Sequence, residues 1–282
     1  MIDLPFSEFG FLDFGAVGVH RASEVEQTYL HCLEKGYFAQ MSYLSRNLEK
    51  RFDPTLLVEG AQTALCFLAP YGKPAGGVAG FACGRDYHKV VRDKLFQVIS
   101  FLREQSPDFK GRPFVDSAPL LERYWAAGAG LGFIGRNRFL ISPVWGLRTI
   151  IGVILCNVPA SEFPMHSPLE VRDCGHCGRC VSACPGGALD DPCGLDAGKC
   201  VSYHTVEAAP QETLPEVDCR GWVFGCEECL KVCPWNRDIP SWPEFETHRT
   251  LLENTDWRAL SDEEFQALLG DSGLMRSRRF GI

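Results

Sequence analysis

The residues with the most chemistry to offer in this chain are cysteines, and their spacing says what kind. Cys174-x-x-Cys177-x-x-Cys180-x-x-x-Cys184-Pro185 is followed by Cys226-x-x-Cys229-x-x-x-Cys233-Pro234. The first run has the spacing with which thiolates hold a 4Fe–4S cubane: three wrap one cluster and the fourth, after the longer gap, reaches a neighbouring cluster. Read crosswise, Cys174, Cys177, Cys180 and Cys233 form one ligand set, while Cys184, Cys226 and Cys229 need one more thiolate. Cys193, Cys200 and Cys219 are the candidates. Cys200 is preferred, because Cys219 stands close before Cys226 and Cys193 sits in a Pro-Cys-Gly turn.

Paired C-x-x-C motifs also suit tetrahedral zinc, but a zinc site has no use for a third Cys at the same spacing followed by x-x-x-Cys-Pro. A disulfide framework fits worse. The spacing is tight, and the N-terminus, MIDLPFSEFGFLDFG, has neither a basic region nor an uninterrupted apolar stretch. Fourteen Cys therefore imply a reducing cytoplasm, no stretch reaches membrane length, and a monomer without a membrane partner is expected. The net charge of −8 argues against nonspecific nucleic-acid binding. One basic run, Arg276-Ser277-Arg278-Arg279, reads as a solvated tail or as a contact for a polyanion.

The elements that must position these thiols come before and after them. The stretch FGFLDFGAVGV reads as an early strand or turn, and Ser23 with Glu26 predicts a capping box opening a helix that Gly36 ends. Residues 62–69, QTALCFLA, form an apolar run closed by Pro70, a buried strand with Cys66 as a small core residue. Apolar residues at Val91, Leu95, Val98, Ile99 and Leu102 have helical spacing. A strand-like stretch over 112–119, a helix over Leu120 to Ala127 and an apolar strand from Thr149 to Cys156 complete an alternation that implies an α/β (α+β) domain. Composition shifts to Cys, Gly and Pro near residue 165. The expected organisation is an α/β domain over 1–163, a ferredoxin-like two-cluster module over 164–240, and an extension over 241–282, polar and loop-rich until Ser261-Asp262-Glu263-Glu264 caps a short helix.

Two further features sit in the first domain. Gly130-x-Gly132-x-x-Gly135 fits a dinucleotide fingerprint literally, but a helix precedes it and a strand, Asn137 to Ser142, follows, so it reads as a tight ligand-facing loop. Asp116 follows apolar Phe114 and Val115. A carboxyl at the end of a buried strand can have its pKa raised by desolvation and donate a proton; the alternative is an Asp that caps a turn. His88 and His204 lie near these features as structural or surface residues.

The runs Gly84-Arg85-Asp86-Tyr87-His88-Lys89, Phe114 through Arg123, Gly130 through Asn137, the first cysteine run, Cys200-Val201-Ser202-Tyr203 and Trp222 through Asn236 resemble, in order and over nearly the whole chain, the epoxyqueuosine reductases. The resemblance implies a cobalamin- and 4Fe–4S-dependent oxidoreductase that removes the epoxide oxygen of epoxyqueuosine in the tRNA anticodon loop, the last step of queuosine synthesis. It also implies an N-terminal domain similar to the cobalamin-binding domain of reductive dehalogenases, Asp116 as proton donor, and Cys200 as the last cluster ligand. An external low-potential electron donor would load the clusters, which pass electrons on to the cobalt. Arg136, Asn137, Ser202 and Tyr203 are expected to contact cobalamin, from their places in the glycine loop and beside the second cluster. Many members continue into a helical-repeat domain, so this sequence reads as a short form, and Arg136 and Phe133 stand where Lys and Trp are more usual. Two other readings remain: a dehalogenase-like cobalamin reductase of a small molecule, and a ferredoxin-type electron-transfer protein with no corrinoid.

Overall fold

The computed structural model describes residues 2–167, 169–170, 173–192, 194–208 and 218–276. Cys193 and the Ser277-Arg278-Arg279 part of the basic run lie outside the described residues. In chain order the regular elements are β1 (Asp13–Gly18), α1 (Ser23–Glu34), α2 (Leu48–Phe52), β2 (Thr63–Pro70), α3 (Tyr87–Gln105), β3 (Gly111–Phe114), α4 (Glu122–Gly128), β4 (Phe133–Ile134), β5 (Leu140–Ile141) and β6 (Thr149–Cys156). After these come α5 (Arg179–Ala183), α6 (Val201–Val206), α7 (Glu228–Lys231), α8 (Arg249–Asn254) and α9 (Asp262–Leu269), with short 3₁₀ turns between elements.

The central sheet has the order β1-β2-β6-β3, and every pair is antiparallel: Asp13 faces Leu68, Thr63 faces Cys156, and Phe114 faces Val153. Helix–strand alternation does not encode strand direction, so the pattern that suggests crossover units is realised as an antiparallel α+β domain. Residues 63–70 are buried without a break because both faces are covered. Successive side chains leave a strand on opposite sides. Leu65, Phe67 and Ala69 join Val91, Leu95, Val98, Ile99 and Leu102 of α3 in one cluster, while Ala64, Cys66 and Leu68 join Trp125, Ala126 and Ala129 around α4 in another. Helix, sheet and helix thus make three layers.

One expectation fails locally. Ser23 forms no capping box: Ala22 is the N-cap, without a side-chain bond, and the Glu26 carboxylate is taken by Arg21 at 3.0 Å. The segment after Trp235, loop-rich as expected, is nonetheless anchored in the core. Trp242 and Phe245 are buried in the α3 layer, the Trp242 indole N–H donates to Gly10 O at 2.7 Å, and Leu252, Trp257, Phe265, Leu269 and Leu274 pack with Ala75, Val78, Ala82, Val206 and Phe224. The Ser261–Glu264 capping box does form. The extension also holds the entry to α3, since Arg85 N–H donates to Glu244 O and Asp86 N–H to Asp271 O, both at 2.8 Å.

Candidate active site and cluster sites

The thiols fall into two neighbourhoods. Cys174, Cys177, Cys180 and Cys233 line one small cavity with Arg136, Asn137 and Trp235. Burial chiefly raises the Cys233 thiol, with Cys174 and Cys177 adding to it; Cys180 likewise feels burial first and then Cys174 and Cys233. Burial is the main cause for Cys226 as well, which is pushed up to about 11 with Cys200 and Cys184 contributing. Cys229 is raised by burial and by Cys226, Cys200, Cys184 and, across the gap between the sets, Cys180. Cys174, Cys177, Cys180 and Cys233 thus share one cavity, and Cys184 and Cys200 lie near Cys226 and Cys229. Among the described residues no group of three or more His, Cys, Asp or Glu is placed to hold a single ion.

Donors point at these thiols. Arg136 N–H donates to Cys174 Sγ at 3.4 Å and Ala188 N–H to Cys184 Sγ at 3.3 Å. Arg136 Nε and Asn137 Nδ2 are buried without a hydrogen-bond partner beside the first cavity. Orphaned buried donors are costly, and the sulfur of a cluster is an acceptor that would satisfy them. The donor set therefore fits 4Fe–4S clusters. The structure places Arg136 and Asn137 at the first thiol set, Arg136 also reaching Leu189 O and Asp190 O.

Ser202 and Tyr203 sit on α6, whose N-cap is Cys200. Gln40 N–H donates to the Tyr203 hydroxyl at 3.1 Å, which ties α6 to the loop after α1. His204 Nε2 lies 2.9 Å from Gly198 O, and His88 Nδ1 2.8 Å from Asp86 Oδ1, both local structural contacts.

Asp116 lies beyond the end of β3 in a left-handed conformation, φ 48°, which an Asp tolerates better than most residues. Phe114 and Val115 are buried, but Asp116 itself is exposed; the reading of it as a desolvated carboxyl does not hold. The desolvated carboxyl is Glu122, pushed up to about 8 by burial first and then by the negative charge of Asp116. Glu122 accepts the Asp116 backbone N–H at 2.7 Å, and the Tyr87 hydroxyl donates to Asp116 Oδ2 at 2.8 Å. One carboxylate oxygen is thus held by the Tyr87 hydroxyl.

The same neighbourhood reaches the second thiol set. The Tyr43 hydroxyl is pushed up to about 12 by burial, then by Glu207 and Asp116, with Arg276 and Arg51 pulling it back. Glu207 follows α6 and receives Arg276 at 3.0 Å. Tyr43, with 46% of its surface exposed, Asp116, Tyr87 and Arg276 are therefore neighbours near the end of α6, the helix that begins at Cys200.

Residues 173–236 match the 4Fe-4S double cluster binding domain, and residues 51–117 match the family described as Epoxyqueuosine reductase QueG, DUF1730. An epoxyqueuosine reductase from Cyclobacterium marinum is 35% identical over 287 residues, covering 96% of this chain and 91% of the relative. The chain belongs to the epoxyqueuosine reductase family. The Pseudomonas aeruginosa reductase is 34% identical and aligned over 96% of this chain and 78% of its own length. A crystal structure of a selenomethionine-labelled epoxyqueuosine reductase superposes with a TM-score of 0.83 at 27% identity, over 96% of this chain and 75% of that one. Another, at 26% identity and TM-score 0.82, holds an epoxyqueuosine-modified tRNA-Tyr stem loop and aligns over 95% of this chain and 74% of its own. No helix among the described residues is long and apolar enough to cross a membrane.

Some residues that shape the site are not marked by any motif. Tyr87 and Glu122 lie in stretches that resemble the reductases, but nothing local says that both would converge on Asp116. Glu227, between Cys226 and Cys229, accepts from Arg148 at 3.0 Å and from Gly80 N–H at 2.7 Å. That buried ion pair joins the cluster module to the sheet domain, and only a charge inside a cysteine run hinted at it.

Proposed function

We propose that this chain reduces epoxyqueuosine to queuosine in tRNA, with two 4Fe–4S clusters, cobalamin, and Asp116 as the proton donor. The observation that carries the assignment of Asp116 is the exposed carboxylate held by Tyr87 on a left-handed turn pinned by Glu122. In the reaction two electrons and two protons convert the epoxide to an alkene and water. When bound, cobalamin supplies the strongly reducing cobalt centre, and the clusters deliver its electrons. Cys174, Cys177, Cys180 and Cys233 would hold the first cluster and Cys184, Cys200, Cys226 and Cys229 the second. Arg136 and Asn137 would donate to sulfur of the first cluster rather than to cobalamin.

The fit for a corrinoid rests on the exposed Tyr43 ring near Asp116 and on Ser202 of the helix that starts at Cys200; Tyr203 is buried with its hydroxyl bonded to Gln40 N–H and would act by holding that helix in place. A flat macrocycle covering the Tyr43 ring would exclude water from Asp116. Asp116, in its protonated form, would give one proton from Oδ1 to the departing oxygen, with Tyr87 holding Oδ2 and solvent supplying the second proton, and orientation of the carboxyl is the protein's share of the catalysis. The division into 1–163, 164–240 and 241–282 belongs to this reading, with Arg276, paired with Glu207, as the first cation of a path for the tRNA backbone. A low-potential reductant must come from outside the chain.

The test is anaerobic reconstitution with iron, sulfide and cobalamin, followed by mass spectrometry of epoxyqueuosine-bearing tRNA after adding reductant. Loss of one oxygen is expected, abolished in Asp116→Asn while iron content stays unchanged. Corrinoid bound with tRNA left intact would overturn the assignment.

A further inference from the structure

The glycine loop ending at Gly135, and the two residues after it, are not used by the reaction at Asp116, yet they are built tightly against the first thiol set. β4 and β5 pair as a short hairpin, closed by Gly135 N–H donating to Phe139 O at 2.9 Å. Phe133 and Ile141 of this hairpin pack with Cys174, Cys233 and Trp235. A Cβ on Gly135 would stand 2.4 Å from Ile141 Cδ1 and 2.8 Å from Asn137 Oδ1, so the glycine makes room for the Asn137 side chain to fold back. Asn137 is 2% exposed. Its Oδ1 accepts the Phe139 N–H at 3.3 Å. That partner can only donate, which fixes the orientation of the amide and leaves Nδ2 without a partner, in a residue lining the cavity of Cys174, Cys177, Cys180 and Cys233. Arg136 adds a second such donor. Its Nη2 is held by Leu189 O and Asp190 O, its backbone N–H donates to Cys174 Sγ at 3.4 Å, and its Nε is buried and unpartnered.

We propose that Asn137 and Arg136 set the reduction potential of the first cluster above that of the second, so that the first stores one electron and the second is reduced only while passing one on; the inference rests on the two-cluster function proposed above. A cluster gains negative charge on reduction: the first takes one electron from the external reductant and keeps it until the second accepts it. Side-chain N–H groups at its sulfur, and a fixed guanidinium beside it, stabilise the reduced form more than the oxidised one, the more so where water is excluded. Backbone N–H groups serve both sets, Ala188 reaching Cys184 Sγ at 3.3 Å, so the side chains make the difference. The other buried side-chain nitrogens without a partner among the described residues do not offer the second set the same. Arg51 lies over the Tyr29 ring, and Trp125 is in the α4 layer. His204 on α6 faces Gly198 O with Nε2; a carbonyl only accepts, so the proton of the neutral ring sits there and Nδ1 has none to give. Glu227 and Glu228, between Cys226 and Cys229, are paired with Arg148 and with Arg220 and Lys231. Asp173, next to Cys174, is exposed and screened by solvent.

The test is a redox titration of the anaerobically reconstituted holoprotein with dithionite and mediators, followed by EPR, in wild type, Asn137→Leu and Arg136→Gln. Wild type should show two separate one-electron steps. Each substitution should shift the more positive step downward and leave the more negative one in place, so that the two draw together while iron content stays the same. Arg136 is only half-buried, so its variant reads the same effect even where Asn137→Leu fails to load iron. Coincident steps in wild type, a shift of the more negative step, or no shift in the loaded variants would overturn the proposal, even in a protein that reduces epoxyqueuosine-bearing tRNA normally. The expected shifts in a protein that leaves tRNA unchanged would sink the function and leave the tuning standing.

Discussion

Removing the Glu227 carboxylate should loosen the joint between the cluster module and the sheet domain. Arg148 and Glu227 have side chains 8% and 3% exposed, so solvent and salt screen the pair little. Glu227 holds Arg148 through Nε at 3.3 Å and a terminal nitrogen at 3.0 Å, and its other oxygen takes Gly80 N–H at 2.7 Å. In Glu227→Ala the guanidinium keeps only Asn236 Oδ1 at 3.3 Å. An unpaired buried charge costs about 3–5 kcal/mol, and the orphaned Gly80 N–H adds about 1–3 kcal/mol. Against a total stability of about 5–15 kcal/mol that is a large share. Replacing both partners, Arg148→Met with Glu227→Leu, removes the charge along with its counter-charge and should cost markedly less than the sum of the singles, a coupling of several kcal/mol. The assay is anaerobic urea unfolding of the reconstituted protein by tryptophan fluorescence, with iron release followed in parallel, because Cys226 adjoins Glu227. Metal centres break two-state behaviour, so the readout is the order of midpoints and iron-loss rates across the cycle. Additive losses in the double variant would refute the argument, since they would mean that the two charges do not compensate one another.

Other perturbations test other parts of the structure. Glu122 has its carboxyl raised to about 8, so between the unfolded value near 4.5 and about 8 the folded state binds more protons, and stability should fall as pH rises through that window. The slope is at most about 1.4 kcal/mol per pH unit; Glu122→Gln should flatten it, and identical urea midpoints against pH in both proteins would count against the assignment. Gly15→Ala should destabilise by about 1–3 kcal/mol, because its Cβ would stand 2.3 Å from the Ala129 carbonyl oxygen where α4 crosses β1; an unchanged thermal midpoint would show that the contact yields freely. Trp242→Ala should cost about 3–5 kcal/mol by emptying a buried site in the α3 layer, read as a lower midpoint with iron content initially unchanged. Tyr87→Phe should leave folding intact and lower the rate of epoxide reduction without changing iron content, since it removes only the hydrogen bond that orients Asp116.

What could be read from the sequence depended on whether the cause was local. The cysteine spacing carries its own geometry, because three thiols two residues apart can wrap only one side of a cluster, and the crosswise partition follows from the longer gap before Cys184 and Cys233. The strands at 63–70 and 149–156 and the helix at 87–105 were legible because both layers that cover them write apolar residues in the matching period. Strand direction was not, since an apolar strand buried on both faces looks alike in either orientation. Of the two readings of Asp116, the desolvated one does not match its exposure. Burial of Phe114 and Val115 says nothing about the next residue once the chain turns into a left-handed conformation, and the desolvated carboxyl proved to be Glu122, six positions on. The polar stretch after Trp235 is loop-rich as read, but its anchors, Trp242, Phe245, Leu252 and Trp257, are too sparse to form a period, and each finds a place in a core built by residues far away in sequence. A site assembled from the end of β3, the start of α3, the loop after α1 and the end of α6 has no signature in any one of them. Its residues can be recognised together only when the fold has brought Tyr87 to within hydrogen-bond reach of Asp116.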